Sequence, residues 1–367
     1  MRVLLIGNCQ GAGGGPTHFQ LLAKFLVAEG HRVFALGVGD TDQYLPQLEP
    51  PAEVLRIPQT ATKLWSKVVK GGLLLQVRNK VLAFKPDLFI GIGYGNSYAY
   101  LAQLLGKNTF SFYQELITNP PYKDPLRMRL TEAFGAVAVQ SPGMKPAFVA
   151  NIPTDKPVGC LPCFSFSPAP GFRANAPSER GLLRLAYFGR LAANKGLPQF
   201  LRAFAQVQGQ VEATFDIHGG GPESELIEQT IAKLQLGAAV KLCGPYPGGV
   251  DYARLLSSYH ALVLPSIDAE GLPLVLLEAM SYGLPYLSTT IGAISDSARD
   301  NPDVLVVEPE QEQLAAGVVT LCTRLRAGKT DPARLQTYYQ EHYSFEVMAQ
   351  EWRTMLADPP GYFARQA

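Results

Sequence analysis

Apolar residues in this chain fall into short uninterrupted runs, separated by longer stretches where they recur every three or four positions. Apolar-rich runs at 3–6, 32–36, 87–90, 109–113 and 136–140 predict strands. Residues 19–29 carry the helical period and are closed by Gly30. After residue 181 the series begins again, with strands predicted at 183–188, 213–218, 240–243, 261–264, 286–288 and 304–307. Helical stretches follow in the 310s and 330s, and a last helix is predicted over 345–356. Strands alternating with helices in this way specify parallel α/β architecture. Between the two series, residues 153–181 hold several prolines together with Gly, Ser and Asn, the composition of an interdomain linker. The halves are alike in architecture only.

Length and composition fit two domains of ordinary size: 367 residues, 47% hydrophobic and 17% charged. A formal charge of +1 gives no global basis for binding nucleic acid. No apolar run reaches transmembrane length, and the one that opens the chain is too short for a signal peptide and reads as a first strand. Cys9, Cys160, Cys163, Cys243 and Cys322 form no disulfide framework. Cys160-Leu-Pro-Cys163 is a single CxxC without a second pair or a histidine cluster, which argues against a zinc or redox centre. The expected setting is cytoplasmic and reduced.

Candidate chemistry concentrates after the predicted strand at 261–264. Glu270 and Glu278 stand eight positions apart, with only apolar or turn-forming residues between them. Gly271 and Pro273 read as a helix start, and the following residues are apolar nearly all round, so this helix is expected to be buried. A carboxylate such as Glu278 is costly there unless something satisfies it. No Lys or Arg lies nearby in sequence, and a hydroxyl-rich ligand would serve. Three strand ends also lead into glycine-rich loops: Gly7 to Gly15, Gly189 to Gly196, and Gly219 to Gly221. Glycines allow backbone amides to approach a ligand, and a helix N-terminus favours anions. The first loop has neither the GxGxxG spacing nor a following Lys-Ser/Thr, which disfavours dinucleotide and P-loop readings. The second carries Arg190 and Lys195, a fork and a point charge suited to phosphate oxygens.

Together these elements resemble the family 4 glycosyltransferases, which have the GT-B fold and retain anomeric configuration. The resemblance rests on Gly13, Gly14 and Gly15, on Gly189-Arg190 with Lys195-Gly196, on Gly219 to Pro222, on the spaced Glu270 and Glu278, and on Gly283-Leu-Pro285. It implies two Rossmann-like domains whose parallel sheets face an interdomain cleft: 1–164 on the acceptor side, 165–343 on the nucleotide-sugar side, and 344–367 as a helix crossing back to the first. It implies transfer of a hexosyl group from a nucleotide-diphosphate sugar to a hydroxyl of a sugar, lipid-linked or small-molecule acceptor, in glycan, polysaccharide or glycolipid synthesis. No essential metal and no further cofactor are expected. Arg190 and Lys195 would neutralise the donor diphosphate, Glu278 would accept the ribose hydroxyls, and Glu270 would hold the transferred sugar. Amides of Gly271, Leu272 and Leu274, with the loops at Gly13 to Gly15 and at Gly220, would meet phosphate or sugar oxygens. Tyr246 is a candidate stacking partner for the base.

Where the family usually places a histidine near the sugar, this chain has Gln114, followed by Glu115. Both are candidate catalytic residues with Glu270. Gln cannot change protonation state, which suits a route in which the leaving phosphate itself assists deprotonation of the acceptor. Asp40-Thr-Asp42 is a DxD, but it follows the second strand and reads as a solvated loop. His18 reads as a partly buried helix histidine. Residues 63–85 contain Lys and Arg but no Asp or Glu, among them Lys63, Lys67 and Lys70 beside Trp65, a candidate peripheral contact with the inner membrane surface. The alternative to an enzyme is a catalytically silent scaffold of the same fold, for which the intact Arg190, Lys195, Glu270 and Glu278 have no physical need.

Overall fold

The computed structural model describes residues 1–10, 13–40, 45–58, 64–165, 167–174, 181–268 and 270–366, with 64–71, 73 and 74 described by backbone alone. The chain forms two compact units, one of Met1–Phe166 with Met348–Ala367 and one of Ser167–Val347. Each is built on a single sheet in which every strand pairing is parallel.

In the first unit the strands are β1 (Arg2–Asn8), β2 (Arg32–Val38), β3 (Glu53–Ile57), β4 (Leu88–Ile92), β5 (Phe110–Gln114), β6 (Ala136–Val139) and β7 (Val158–Cys160), in the order β3-β2-β1-β4-β5-β6-β7. β1 lies inside the sheet between β2 and β4, and its Val3 to Ile6 are apolar at every position and wholly buried. Two edge strands, β3 and β7, were not expected. β7 lies inside the stretch read as linker, so that stretch enters the sheet, pairing Val137 with Val158, before it leaves the unit. Its outer edge is covered by the helix Pro359–Gln366. Tyr362 donates its hydroxyl proton to the Cys160 carbonyl at 2.5 Å, and the Gln366 side-chain oxygen accepts from the Cys160 amide at 2.7 Å. Side chains thus take the backbone groups that an edge strand leaves unpaired.

The preceding helix, Phe345–Ala357, brings Trp352 into the same core, where its indole N–H donates to the Pro162 carbonyl at 2.9 Å. The closing helix was also unexpected. Its Pro359-Pro360-Gly361 start reads as a turn, yet proline is compatible with a first helical turn.

The second unit carries β8 (Leu183–Phe188), β9 (Ala213–His218), β10 (Val240–Gly244), β11 (Ala261–Leu264), β12 (Tyr286–Thr289) and β13 (Leu305–Val307), in the order β10-β9-β8-β11-β12-β13. All six agree with the sequence expectation to within a residue or two at the ends. On one face, the helix Leu197–Val207 buries Phe200 against Phe215, with ring centroids 4.8 Å apart. β8 has β9 on one side and β11 on the other, so the connections that leave β8 and β11 run in opposite directions. Such a switch point, at the carboxyl ends of the strands, is where open parallel sheets hold ligands.

Two motifs fall partly outside the described residues. Asp42 of the DxD lies outside them, as does Lys63. The helix Leu64–Phe84 spans the basic segment, but the side chains of Trp65, Lys67 and Lys70 are not described. Among the described residues no helix is long and apolar enough to cross a membrane.

Candidate functional site

At the switch point of the second unit, the loop after β8 and the loop after β11 are tied together through their backbones. Ile267 N–H donates to the Asn194 carbonyl at 2.8 Å. Gly196 permits the approach: its φ is +64°, and a Cβ there would lie 2.3 Å from the Pro265 carbonyl oxygen. The consequence for side chains is an ion pair that the sequence spacing did not reveal. Lys195 Nζ contacts Glu270 Oε1, and Ser266 Oγ donates to the same oxygen at 2.6 Å. Glu270 is 6% exposed. Charges taken this far out of water need both a counter-ion and hydrogen bonds, and Lys195 with Ser266 supplies them.

Arg190 differs from Lys195. It is exposed, and its guanidinium has no partner among the described residues, while its backbone carbonyl accepts from Tyr187 Oη at 2.7 Å. One cation at this edge is therefore committed and one is free.

Pro273 caps the helix Leu274–Ser281, and Gly271, Leu272 and Leu274 are buried at its start. One turn further, Glu278 is half-buried and accepts from Tyr252 Oη at 2.8 Å. Burial pushes its carboxyl group above the ordinary carboxylate range, and the Tyr252 hydroxyl pulls it partly back. The first and second glutamates are thus satisfied by different means, a lysine and a phenol.

Beside Glu278, Tyr246 is 38% exposed. Its ring stacks on Tyr252 with centroids 5.3 Å apart and stands edge-on to Phe188 at 5.2 Å. Phe188 stacks in turn on His218 at 4.6 Å. Sequence reasoning missed Tyr252, Ser266 and Phe188, because only the meeting of loops identifies them.

The glycine loop after β9 has a packing explanation that the sequence reading did not give. A Cβ at Gly219 would fall 1.8 Å from the Gly189 carbonyl oxygen, and one at Gly221 would fall 2.2 Å from that of Leu191. Both glycines are required by the neighbouring loop. Only Gly220 faces open space.

Asp216, His218 and Cys243 are the one group among the described residues whose donor atoms cluster closely enough to hold a metal ion, all within 4.8 Å. Those atoms already have partners. Tyr259 Oη bonds His218 Nε2 at 2.7 Å and Asp216 Oδ2 at 2.8 Å, and Arg184 pairs with Asp216 at 3.5 Å.

The remaining candidates belong to the first unit. Gly13 and Gly14 are exposed at the start of the helix Gly14–Ala28, while Gly15 packs toward Leu116. Gln114, at the end of β5, is wholly buried and used at both ends. Its amide nitrogen donates to the Leu161 carbonyl at 2.7 Å, and its oxygen meets His18 Nε2 at 2.8 Å. His18 Nδ1 accepts from the Phe164 amide at 2.9 Å, so the neutral ring carries its proton on Nε2 and donates to Gln114. Burial pushes the His18 pKa down to about 4.

Glu115 is also wholly buried. It binds Arg127, itself 3% exposed, at 2.6 and 3.3 Å, and accepts from the amides of Leu116 and Ile117. The carboxylate read as a catalytic candidate is therefore engaged throughout in holding a buried arginine. Its apolar surroundings and an arginine in the next helix were the available signals.

Residues 183–324 match the family model described as glycosyl transferases group 1. The chain is 29% identical over 184 residues to the amylovoran biosynthesis glycosyltransferase AmsK of Erwinia amylovora, covering 46% of this chain and 44% of that protein. It is 31% identical over 157 residues to the putative colanic acid biosynthesis glycosyltransferase WcaL of Escherichia coli K12, covering 41% and 37%. The matches span less than half the length of these curated relatives. Whole-chain likeness is structural. The sucrose-phosphate synthase of Thermosynechococcus elongatus superposes with a TM-score of 0.74 at 18% identity, covering 97% of this chain and 99% of that one. The pneumococcal O-GlcNAc transferase GtfA gives 0.75 at 12%, covering 98% and 99%, and Anabaena HepE 0.72 at 16%, covering 98% and 100%. These likenesses establish a fold of the GT-B kind. Residues 183–324 of the second unit, which carry the Arg190, Lys195, Glu270 and Glu278 edge, are similar to the group 1 glycosyltransferases.

Proposed function

We propose that this protein is a retaining glycosyltransferase that moves a hexosyl group from a nucleoside-diphosphate sugar to a hydroxyl acceptor in polysaccharide or related glycan synthesis. The observation that carries the reading is the convergence, on one edge of the second unit, of a free cation, a lysine–glutamate pair and a phenol-held carboxylate. Diphosphate needs cations, ribose and hexose need carboxylate acceptors, and a base needs an aromatic face. Arg190, Lys195, Glu278, Glu270 and Tyr246 offer these in turn. The structurally similar HepE and GtfA were solved with UDP and a sugar, and AmsK and WcaL are named for amylovoran and colanic acid biosynthesis.

In this reading Arg190 and Lys195 balance the charge that grows on the departing diphosphate, the part played elsewhere by a metal ion. The amides at Gly271, Leu272 and Leu274 add the partial charge of a helix N-terminus. The acceptor oxygen bonds to the anomeric carbon on the face from which the phosphate oxygen leaves, and that phosphate oxygen takes the acceptor's proton. No protein nucleophile is needed, and configuration is kept. Glu270 orients the sugar. Glu115 has no part in the reaction, and Gln114 acts only by holding His18 and the strap at Leu161. The acceptor is a sugar, a lipid-linked intermediate or a small molecule, and residues 63–85 supply a peripheral contact with anionic membrane.

The test is a panel of UDP, GDP and ADP sugars incubated with oligosaccharide acceptors, with released nucleotide and product anomer measured. Transfer with retention supports the proposal. Absence of turnover with every donor, together with absence of nucleotide binding, refutes it in favour of a silent scaffold.

A further inference from the structure

Glu278 has no ion pair among the described residues, and the one hydrogen bond its carboxylate makes comes from Tyr252. An ionised carboxylate accepts through two oxygens. Oε2 is taken by Tyr252 at 2.8 Å, which leaves Oε1 for a ligand. Glutamate has three side-chain torsions to fix, and a carboxylate that must find its direction as the ligand arrives binds less tightly than one already held.

Tyr252 is well suited to hold it. It lies in the first turn of the helix Gly249–Ser257, its ring stacks on Tyr246 at 5.3 Å and 30°, and it stands nearly perpendicular to Phe188 at 5.6 Å. The same side chain thus supports the half-exposed tyrosine that offers a stacking face and the glutamate next to it.

We propose that Tyr252 is a positioning residue that couples the base-stacking face of Tyr246 to Glu278, so that the carboxylate meets the ribose hydroxyls in a fixed direction. This rests on the donor-site reading above. Tyr252→Phe removes one oxygen atom and leaves the ring contacts in place, so it separates the hydrogen bond from the stack.

The experiment uses isothermal titration of the whole protein. UDP, GDP and ADP are compared first, and the tightest is carried forward with its 2′,3′-dideoxy form, against wild type, Tyr252→Phe, Glu278→Gln and the double variant. The wild type is expected to prefer the ribonucleotide by about tenfold, the size of one lost hydrogen bond to a charged group. Tyr252→Phe should lose most of that preference while binding the dideoxy nucleotide as the wild type does. Glu278→Gln should lose the preference whether or not Tyr252 is present, since the two act as one unit. If Tyr252→Phe keeps the full preference, or weakens both nucleotides equally, the proposal is overturned and Tyr252 is a packing residue only. If Glu278→Gln also keeps the preference, or no nucleotide binds, the donor-site reading itself fails.

Discussion

The titration of His18 is coupled to folding of the first unit. The ring is wholly buried between Phe164 and Trp352, each 5.9 Å away, and its pKa falls from 6.5 to about 4 because burial disfavours the charged form. In the unfolded chain it titrates normally. Between those two values the unfolded state binds the proton and the folded state does not, so stability that is complete above pH 6.5 is lost as pH falls toward 4. At about 1.4 kcal/mol per pH unit the loss attributable to this one residue is about 3 kcal/mol.

The perturbation is His18→Asn, whose side-chain oxygen can still accept from the Phe164 amide. The variant should be less stable at pH 7.5 by about 1–3 kcal/mol, for the hydrogen bond it no longer gives Gln114. It should then lose about 3 kcal/mol less than the wild type on acidification. Carboxylates elsewhere titrate alike in both proteins and cancel in the difference. Denaturant unfolding followed by tryptophan fluorescence reads the first unit, since Trp352 lies against His18. Parallel pH profiles for the two proteins, or a His18 proton resonance titrating near pH 6.5, would refute the reasoning.

Glu115→Ala strands Arg127 in the core and should destabilise the first unit by about 3–5 kcal/mol, while any protein that remains folded keeps its turnover; normal stability with abolished turnover would restore Glu115 as a catalytic group. Arg190→Ala should leave the melting temperature unchanged, as an exposed side chain without partners does, yet weaken UDP binding about tenfold more than uridine binding, which calorimetry compares directly. Lys195→Met should weaken UDP and destabilise the protein, because Glu270 stays buried without its counter-ion. Adding Glu270→Gln to that variant should recover the melting temperature but not the affinity.

Much of the second unit was legible in the sequence because its strands are short apolar-rich runs between clear turn signals. The first unit hid β3 and β7. Val158-Gly-Cys160 is too short to stand out among prolines, and it is a strand only because β6 and the closing helix flank it. In the candidate site, Glu270 and Glu278 were legible because a single loop and helix carry both. Their partners were not. Ser266 and Lys195 reach Glu270 from two loops that Gly196 lets pack together, and Tyr252 reaches Glu278 from a separate helix. The glycines after β9 misled in an instructive way, since Gly219 and Gly221 serve the approach of two backbones and only Gly220 remains for a ligand. Gln114 and Glu115 were placed correctly at a strand end, but period and spacing carry no information on which side chain a neighbouring segment will claim.

The most direct test of the account is a crystal structure of the protein with UDP, or with GDP or ADP if either binds more tightly. The diphosphate is expected between Arg190 and Lys195, the ribose hydroxyls on Glu278 and the base against Tyr246. A nucleotide bound elsewhere, with Arg190 and Glu278 untouched, would contradict it.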